Sequence, residues 1–100
     1  MKIAMLFASA MLVGATLATP VGGGGRALAA GPEFCREYAN IAVRQAHRVR
    51  LSARCVRAAE ANPGRWTERY AVHYDWCRSV PAPEANAERA ARRIHLERCR

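Results

Sequence analysis

Apolar residues fall along the chain in two distinct rhythms. From Ile3 to Ala18 they form an unbroken uncharged run. From Pro32 onward they thin to a stripe: Cys35, Ala39, Ala42, Ala46, Val49, Ala53 and Val56, at alternating steps of four and three, with Tyr38 beside them. That spacing is one face of an α-helix. Pro32 suits the first helical position and Glu33 the positive end of the helix dipole, while Asn62-Pro63-Gly64 ends the element. One helix over the whole stretch has a phase conflict. At about 100° per residue, Cys55 falls about 200° from Cys35, and Leu51 falls on that same arginine-rich back. Either a second element covers that side or the helix bends near Leu51-Ser52, and the bend is the favoured reading.

A second helix is expected from Thr67, whose hydroxyl suits an N-cap, to Pro81, since the residue before a proline disfavours helix. Trp66, Tyr70, His73, Tyr74 and Cys77 share one face, with Val72, Trp76 and Val80 adjoining it. Aromatic side chains over so much of its circumference make this the expected central helix. Pro83-Glu84 opens a third helix that runs to Arg100, with a thin stripe of Ala87, Ala90, Ala91 and Ile94. Leu96 and Cys99 lie on another side. No strand-like alternation is present. The expected fold is therefore all-α: a small three-helix up-down-up bundle with short connections.

Residues 1–29 read as a secretory signal peptide and 30–100 as the working domain. Met1-Lys2 is a short positive start, and Ile3–Ala18 is shorter than the roughly 20 residues a membrane span needs. Pro20 and Gly22 to Gly25 follow, and Ala27-Leu28-Ala29-Ala30 offers small-residue cleavage after Ala29 or Ala30, with Ala18 an earlier alternative. No stable membrane span is expected after cleavage, and the location is periplasmic or secreted. Pro32-Glu33-Phe34 before Cys35 is no lipoprotein acylation site.

All four cysteines, Cys35, Cys55, Cys77 and Cys99, lie in the domain. An even count in a short exported chain implies two disulfides, each worth roughly 2–4 kcal/mol. A domain this small buries only about 60% of its chain surface and needs such staples. In an up-down-up order Cys35 and Cys77 lie near one end and Cys55 and Cys99 near the other, which favours Cys35–Cys77 with Cys55–Cys99. Cys55–Cys77 with Cys35–Cys99 remains open at this level.

The full chain of 100 residues has 16 Lys plus Arg against 8 Asp plus Glu, a formal +8. Lys2 and Arg26 belong to the leader, which leaves 14 arginines against 8 acids, +6, and no lysine. Arg36, His47, Arg50, Arg54 and Arg57 form a basic stripe on the first helix, and Arg44 and Arg48 widen it. Arg36, Arg50, Arg54 and Arg57 are the candidate contacts for an anionic envelope component or an acidic protein. Nucleic acid is not an expected partner for an exported chain. Doubly wound and barrel enzymes are far too large to fit. Gly22 to Gly25 belongs to the leader and is no phosphate loop, and no paired carboxylates sit in an apolar setting. No enzymatic activity and no cofactor are expected.

Cys35-Arg36-Glu37-Tyr38-Ala39, Ala42-Val43-Arg44-Gln45, Gly64-Arg65-Trp66 and His73-Tyr74-Asp75-Trp76-Cys77 together resemble a family of small exported bacterial proteins of unknown function. The shared pattern is Cys-Arg-x-Tyr-Ala, a middle Cys, Arg-Trp, and His-x-x-Trp-Cys, over about residues 34–77; here Val56 replaces the glycine that tends to follow the middle cysteine. The resemblance implies a helical disulfide-linked module and no activity. An alternative chemistry lies in His73-x-x-x-Cys77 and His95-x-x-x-Cys99, each an imidazole one helical turn from a thiol. Together they are candidate ligands for a tetrahedral zinc site or a thiol-redox centre.

Overall fold

A computed structural model describes residues 28–100. Residues 1–27, which carry nearly all of the expected leader, lie outside the described residues. Four helices follow in order: α1 (Pro32–Val49), α2 (Val56–Ala61), α3 (Tyr70–Cys77) and α4 (Ala82–Cys99). The described residues contain no strand, only an isolated antiparallel pairing of Ala29 with Pro81. The all-α class is observed, but the bundle has four helices rather than the expected three.

The extra helix comes from the expected bend, which is a full break. The Arg50 and Leu51 amides donate back to the carbonyls of His47 and Arg48 and close the last turn of α1. The Ser52 carbonyl then accepts from the Cys55 and Val56 amides at 3.0 Å, and its hydroxyl oxygen accepts from the Arg54 amide, so the chain restarts there. The restart resolves the phase conflict on one side only. Cys55 turns inward to 2% exposure, while Leu51 stays 71% exposed.

The second helix starts later than expected, and Thr67 does not cap it. Three hydrogen bonds, the last of them local, hold the preceding segment in a non-helical course. The Trp66 carbonyl accepts from Arg50 Nη1 at 2.7 Å, the Thr67 carbonyl from His73 Nε2 at 2.6 Å, and the Thr67 hydroxyl oxygen from the Arg69 amide. Trp66 is buried from this loop, whereas Tyr70, Val72 and Trp76 face solvent. The central helix is therefore α1, against which both α3 and α4 pack. Its buried face is Cys35, Tyr38, Ala39, Ala42, Gln45, Ala46 and Val49.

On α4 the buried face is also different from the expected one. Ala87 and Ile94 are exposed, and Ala85, Arg92 and Leu96 are buried. Cys99 must meet Cys55, and that requirement rotates the thin alanine stripe out of the core.

Both disulfides are formed, as Cys35–Cys77 and Cys55–Cys99, with Cα–Cα distances of 5.6 and 5.1 Å. The starts of α1 and α4 meet the end of α3 around Cys35–Cys77, with Ala30, Tyr38, Ala42 and Ala85 buried there. Val49, Trp66, Ala59 and Leu96 gather around Cys55–Cys99 at the other end. This is the expected up-down-up course for α1, α3 and α4. Each apolar cluster contains one disulfide. The chain between them, Gln45 on α1 and Glu88 and Arg92 on α4, is polar.

Candidate functional site

The four arginines expected to form one basic stripe are divided among elements: Arg36 on α1, Arg50 at its end, Arg54 in the turn that follows and Arg57 on α2. Arg36 lies near the start of α1, about 21 Å along the axis from Arg50 at about 1.5 Å per residue, and its guanidinium is 4.0 Å from Glu33. Arg50 is a structural clamp. Its Nη1 donates to the Ala46 and Trp66 carbonyls, both at 2.7 Å, and lies 3.5 Å from Glu68. Arg54 and Arg57 are exposed, but they follow the break after Val49 and so leave the α1 face. All three contacts use Nη1, which fixes where the guanidinium sits and leaves Nε and Nη2 outside the clamp.

The residues that only widened the stripe converge better. Arg44 and Arg48 from α1 and Arg93 and Arg100 from the end of α4 line a groove of about 360 Å³ over Ile41 and Leu96. Glu97 is the one carboxylate side chain on its wall, paired with Arg93 at 3.3 Å. Among the described residues, Arg44, Arg48 and Arg100 have no carboxylate within 4.0 Å. The parallel course of α1 and α4 builds this groove, since it brings the last turns of both helices side by side. The sequence signal was available in Arg44 and Arg48, one turn apart on α1, but their partners Arg93 and Arg100 lie 45 to 56 residues further on.

No family model, curated protein or solved structure matches the chain. The site is therefore read from its own chemistry.

The zinc alternative has no free thiolate to use. Cys77 and Cys99 are bonded to Cys35 and Cys55, and no group of three His, Cys, Asp or Glu side chains comes together among the described residues. His95 instead stacks obliquely on Trp66, with ring centroids 5.4 Å apart. His73 is buried with its Nε2 donating to Thr67, which makes Nε2 the protonated nitrogen. Burial pushes the His73 imidazole below its ordinary value, against the raising effect of the Thr67 carbonyl.

A buried polar layer joins the two apolar clusters; Tyr38, Gln45 and the outlying Arg65 stand in the sequence motifs, whereas Glu88 and Arg92 do not. Arg92 Nε donates to Gln45 Oε1 at 2.8 Å, and Gln45 Nε2 donates to the Arg89 carbonyl at 3.2 Å. Arg92 Nη1 reaches Glu88 at 3.3 Å, and Arg65 grips the same carboxylate through both oxygens, at 2.6 and 3.0 Å. The Arg92 guanidinium also lies over the Tyr38 ring, 5.1 Å from its centroid. Burial pushes the Tyr38 hydroxyl pKa up, and the neighbouring Arg92 opposes that shift.

Proposed function

We propose that the chain is an exported, non-enzymatic binding module whose α1–α4 groove takes an anionic envelope component, through phosphate groups of an amphiphile. The groove itself carries the reading: four guanidinia to one carboxylate side chain, set around the apolar floor of Ile41 and Leu96. Guanidinium forks suit phosphate oxygens bidentately, and an apolar floor suits the hydrocarbon that adjoins them. An acidic protein meets the charge but has less use for the floor.

Two observations support export. Both cysteine pairs are joined, which suits an oxidising compartment. Ala30 is built into the fold: its amide donates to the Val80 carbonyl at 2.8 Å, and its carbonyl accepts from Arg78 Nε at 3.0 Å. Leu28, two residues earlier, is exposed. That boundary suits removal of residues 1–29 with cleavage after Ala29, whereas cleavage after Ala30 discards both bonds. Among the described residues no helix is long and apolar enough to cross a membrane.

Vesicle co-sedimentation tests the reading, with chain recovered from an exporting host with its disulfides intact. Binding to phosphatidylglycerol-containing vesicles is expected to fall with added salt and to be absent on pure phosphatidylcholine. Arg44→Glu, Arg48→Glu and Arg100→Glu combined should weaken it roughly a hundredfold or more, at about 1 kcal/mol for each basic residue removed from an anionic surface. Equal binding to neutral vesicles, or wild-type binding by the triple variant, refutes the proposal.

A further inference from the structure

The polar layer leaves two buried atoms unanswered. Arg92 Nη2 and the Tyr38 hydroxyl are both shielded from solvent and neither makes a well-formed hydrogen bond, the Arg92 guanidinium itself being the polar neighbour that acts on the Tyr38 oxygen. Arg92 as a whole is 1% exposed. Its only carboxylate partner, Glu88, is shared with Arg65, which holds both of its oxygens. One negative charge thus serves two positive ones, and the cluster keeps a surplus positive charge on a group with an unused donor. Buried charges are ordinarily paired and buried donors ordinarily bonded, because leaving them otherwise is costly.

A cavity adjoins this point. It measures about 380 Å³, with Tyr38, His73 and the charged Arg65, Glu88 and Arg92 on its walls together with Val72 and Trp76. The last two are exposed apolar side chains. The volume lies in the lower part of the range of about 300–1,000 Å³ typical of small-molecule sites. His73 adds no charge-pairing donor, since its Nε2 is committed to the Thr67 carbonyl. The groove of the preceding proposal is lined by other residues, Arg44, Arg48, Arg93 and Arg100 among them.

We propose that this cavity binds a small monocarboxylate bearing an aromatic or compact apolar group, with the carboxylate on Arg92 Nη2 and the Tyr38 hydroxyl and the apolar part against Trp76 and Val72. The charge count selects a monoanion. A single negative charge neutralises the cluster, whereas a dianion meets repulsion from Glu88. A planar carboxylate accepts from two neighbouring donors at once. Both donors are shielded, so the ligand reaches them by displacing Trp76, whose ring centroid is 5.7 Å from that of Tyr38. Trp76 therefore reports entry.

The test uses the disulfide-intact exported chain, with calorimetric titration and tryptophan fluorescence. Benzoate and phenylacetate are expected to bind saturably and change the fluorescence. Benzamide, close to benzoate in shape but uncharged, should bind at least about tenfold more weakly, and Tyr38→Phe should weaken benzoate about tenfold through loss of one bond to a charged group. Trp76→Ala, with its folding checked by circular dichroism, should abolish the fluorescence change and weaken binding. Arg44→Glu with Arg48→Glu and Arg100→Glu should leave benzoate affinity unchanged, which separates this site from the groove. The proposal is overturned by absence of saturable binding for both acids, by benzamide binding as well as benzoate, by wild-type affinity in both Tyr38→Phe and Trp76→Ala, or by loss of benzoate binding in the groove variant.

Discussion

Removing the Cys55–Cys99 bond, as Cys55→Ala with Cys99→Ala, should cost most of the stability of the domain and should first release α2. The crosslinked residues are 44 apart. Closing a loop of that length removes about 4 kcal/mol of chain entropy from the unfolded state. The Cys35–Cys77 bond spans 42 residues and interleaves with it, so with that bond intact the effective loop is shorter. The dependence on length is logarithmic, and the correction is only a few tenths of a kcal/mol. A domain of about 70 residues, at about 0.05–0.15 kcal/mol per residue, has about 4–10 kcal/mol in total. The loss should also be uneven. Helix α2 is 6 residues long, with Ala59 its one buried member and Cys55 just before it. Isolated helices shorter than about 12 residues are marginal in water, so α2 depends on that attachment. Urea unfolding followed by far-ultraviolet circular dichroism measures the total, and amide exchange measures the distribution. Protection should fall first at amides such as that of Asn62, which donates to the Ala58 carbonyl. A stability loss below about 1 kcal/mol contradicts the loop-entropy account, and wild-type protection in α2 contradicts its dependence on Cys55.

The remaining predictions concern single groups. The His73 imidazole is held below its ordinary 6.5 by burial, so the unfolded chain takes up that proton first. The stability it contributes is present above about pH 6.5 and is lost as the pH falls from there towards the lower folded value, and His73→Gln should flatten that part of the stability profile. Flatness already present in the wild type between pH 7 and pH 5, read by urea midpoints at about one-unit steps, refutes the assignment. Arg50→Ala removes guanidinium bonds to the Ala46 and Trp66 carbonyls and should cost about 1.5–3 kcal/mol, whereas Arg54→Ala, on an exposed side chain, should stay within about 0.5 kcal/mol. Equal effects of the two in denaturant unfolding contradict the clamp.

Much of the fold was legible because α1 obeys a simple rule. Its stripe from Cys35 to Val49 is buried as the spacing implies, and the phase conflict at Leu51 and Cys55 marked the break. The location of α3 within its stretch was less legible. Thr67 is a good capping residue by local chemistry, but its carbonyl is claimed by His73 and the preceding one by Arg50. These are contacts 6 and 16 residues away, invisible to a local rule. The course of the basic stripe was hidden for a related reason. A helical wheel treats every outward arginine alike, and it cannot see that Arg50 folds back onto its own helix and the Trp66 loop.

The polar layer was hidden by the counting itself. A search for apolar periodicity passes over polar residues even when they stand on the stripe. Gln45 lies three residues after Ala42 and four before Val49, both buried, so it occupies an inward position on α1. On α4, the disulfide is a better phase marker than alanine. Counting back from Cys99 by three, seven, eleven and fourteen residues gives Leu96, Arg92, Glu88 and Ala85, and Arg92, Leu96 and Ala85 are the buried residues of that helix. Both inward polar residues thus follow from the cysteine phases, and they meet: Arg92 Nε donates to Gln45 Oε1. A core built only for stability has little reason to place an arginine there, since well-packed apolar residues of similar volume commonly serve as well or better. The arginine that stability alone does not require is the one with an unpaired donor beside the cavity. An Arg92→Met, Gln45→Leu variant, which keeps the Arg65–Glu88 pair, separates the two roles. If the layer serves binding, that variant should fold with undiminished stability in urea and lose benzoate binding; a large destabilisation instead assigns the layer to the fold.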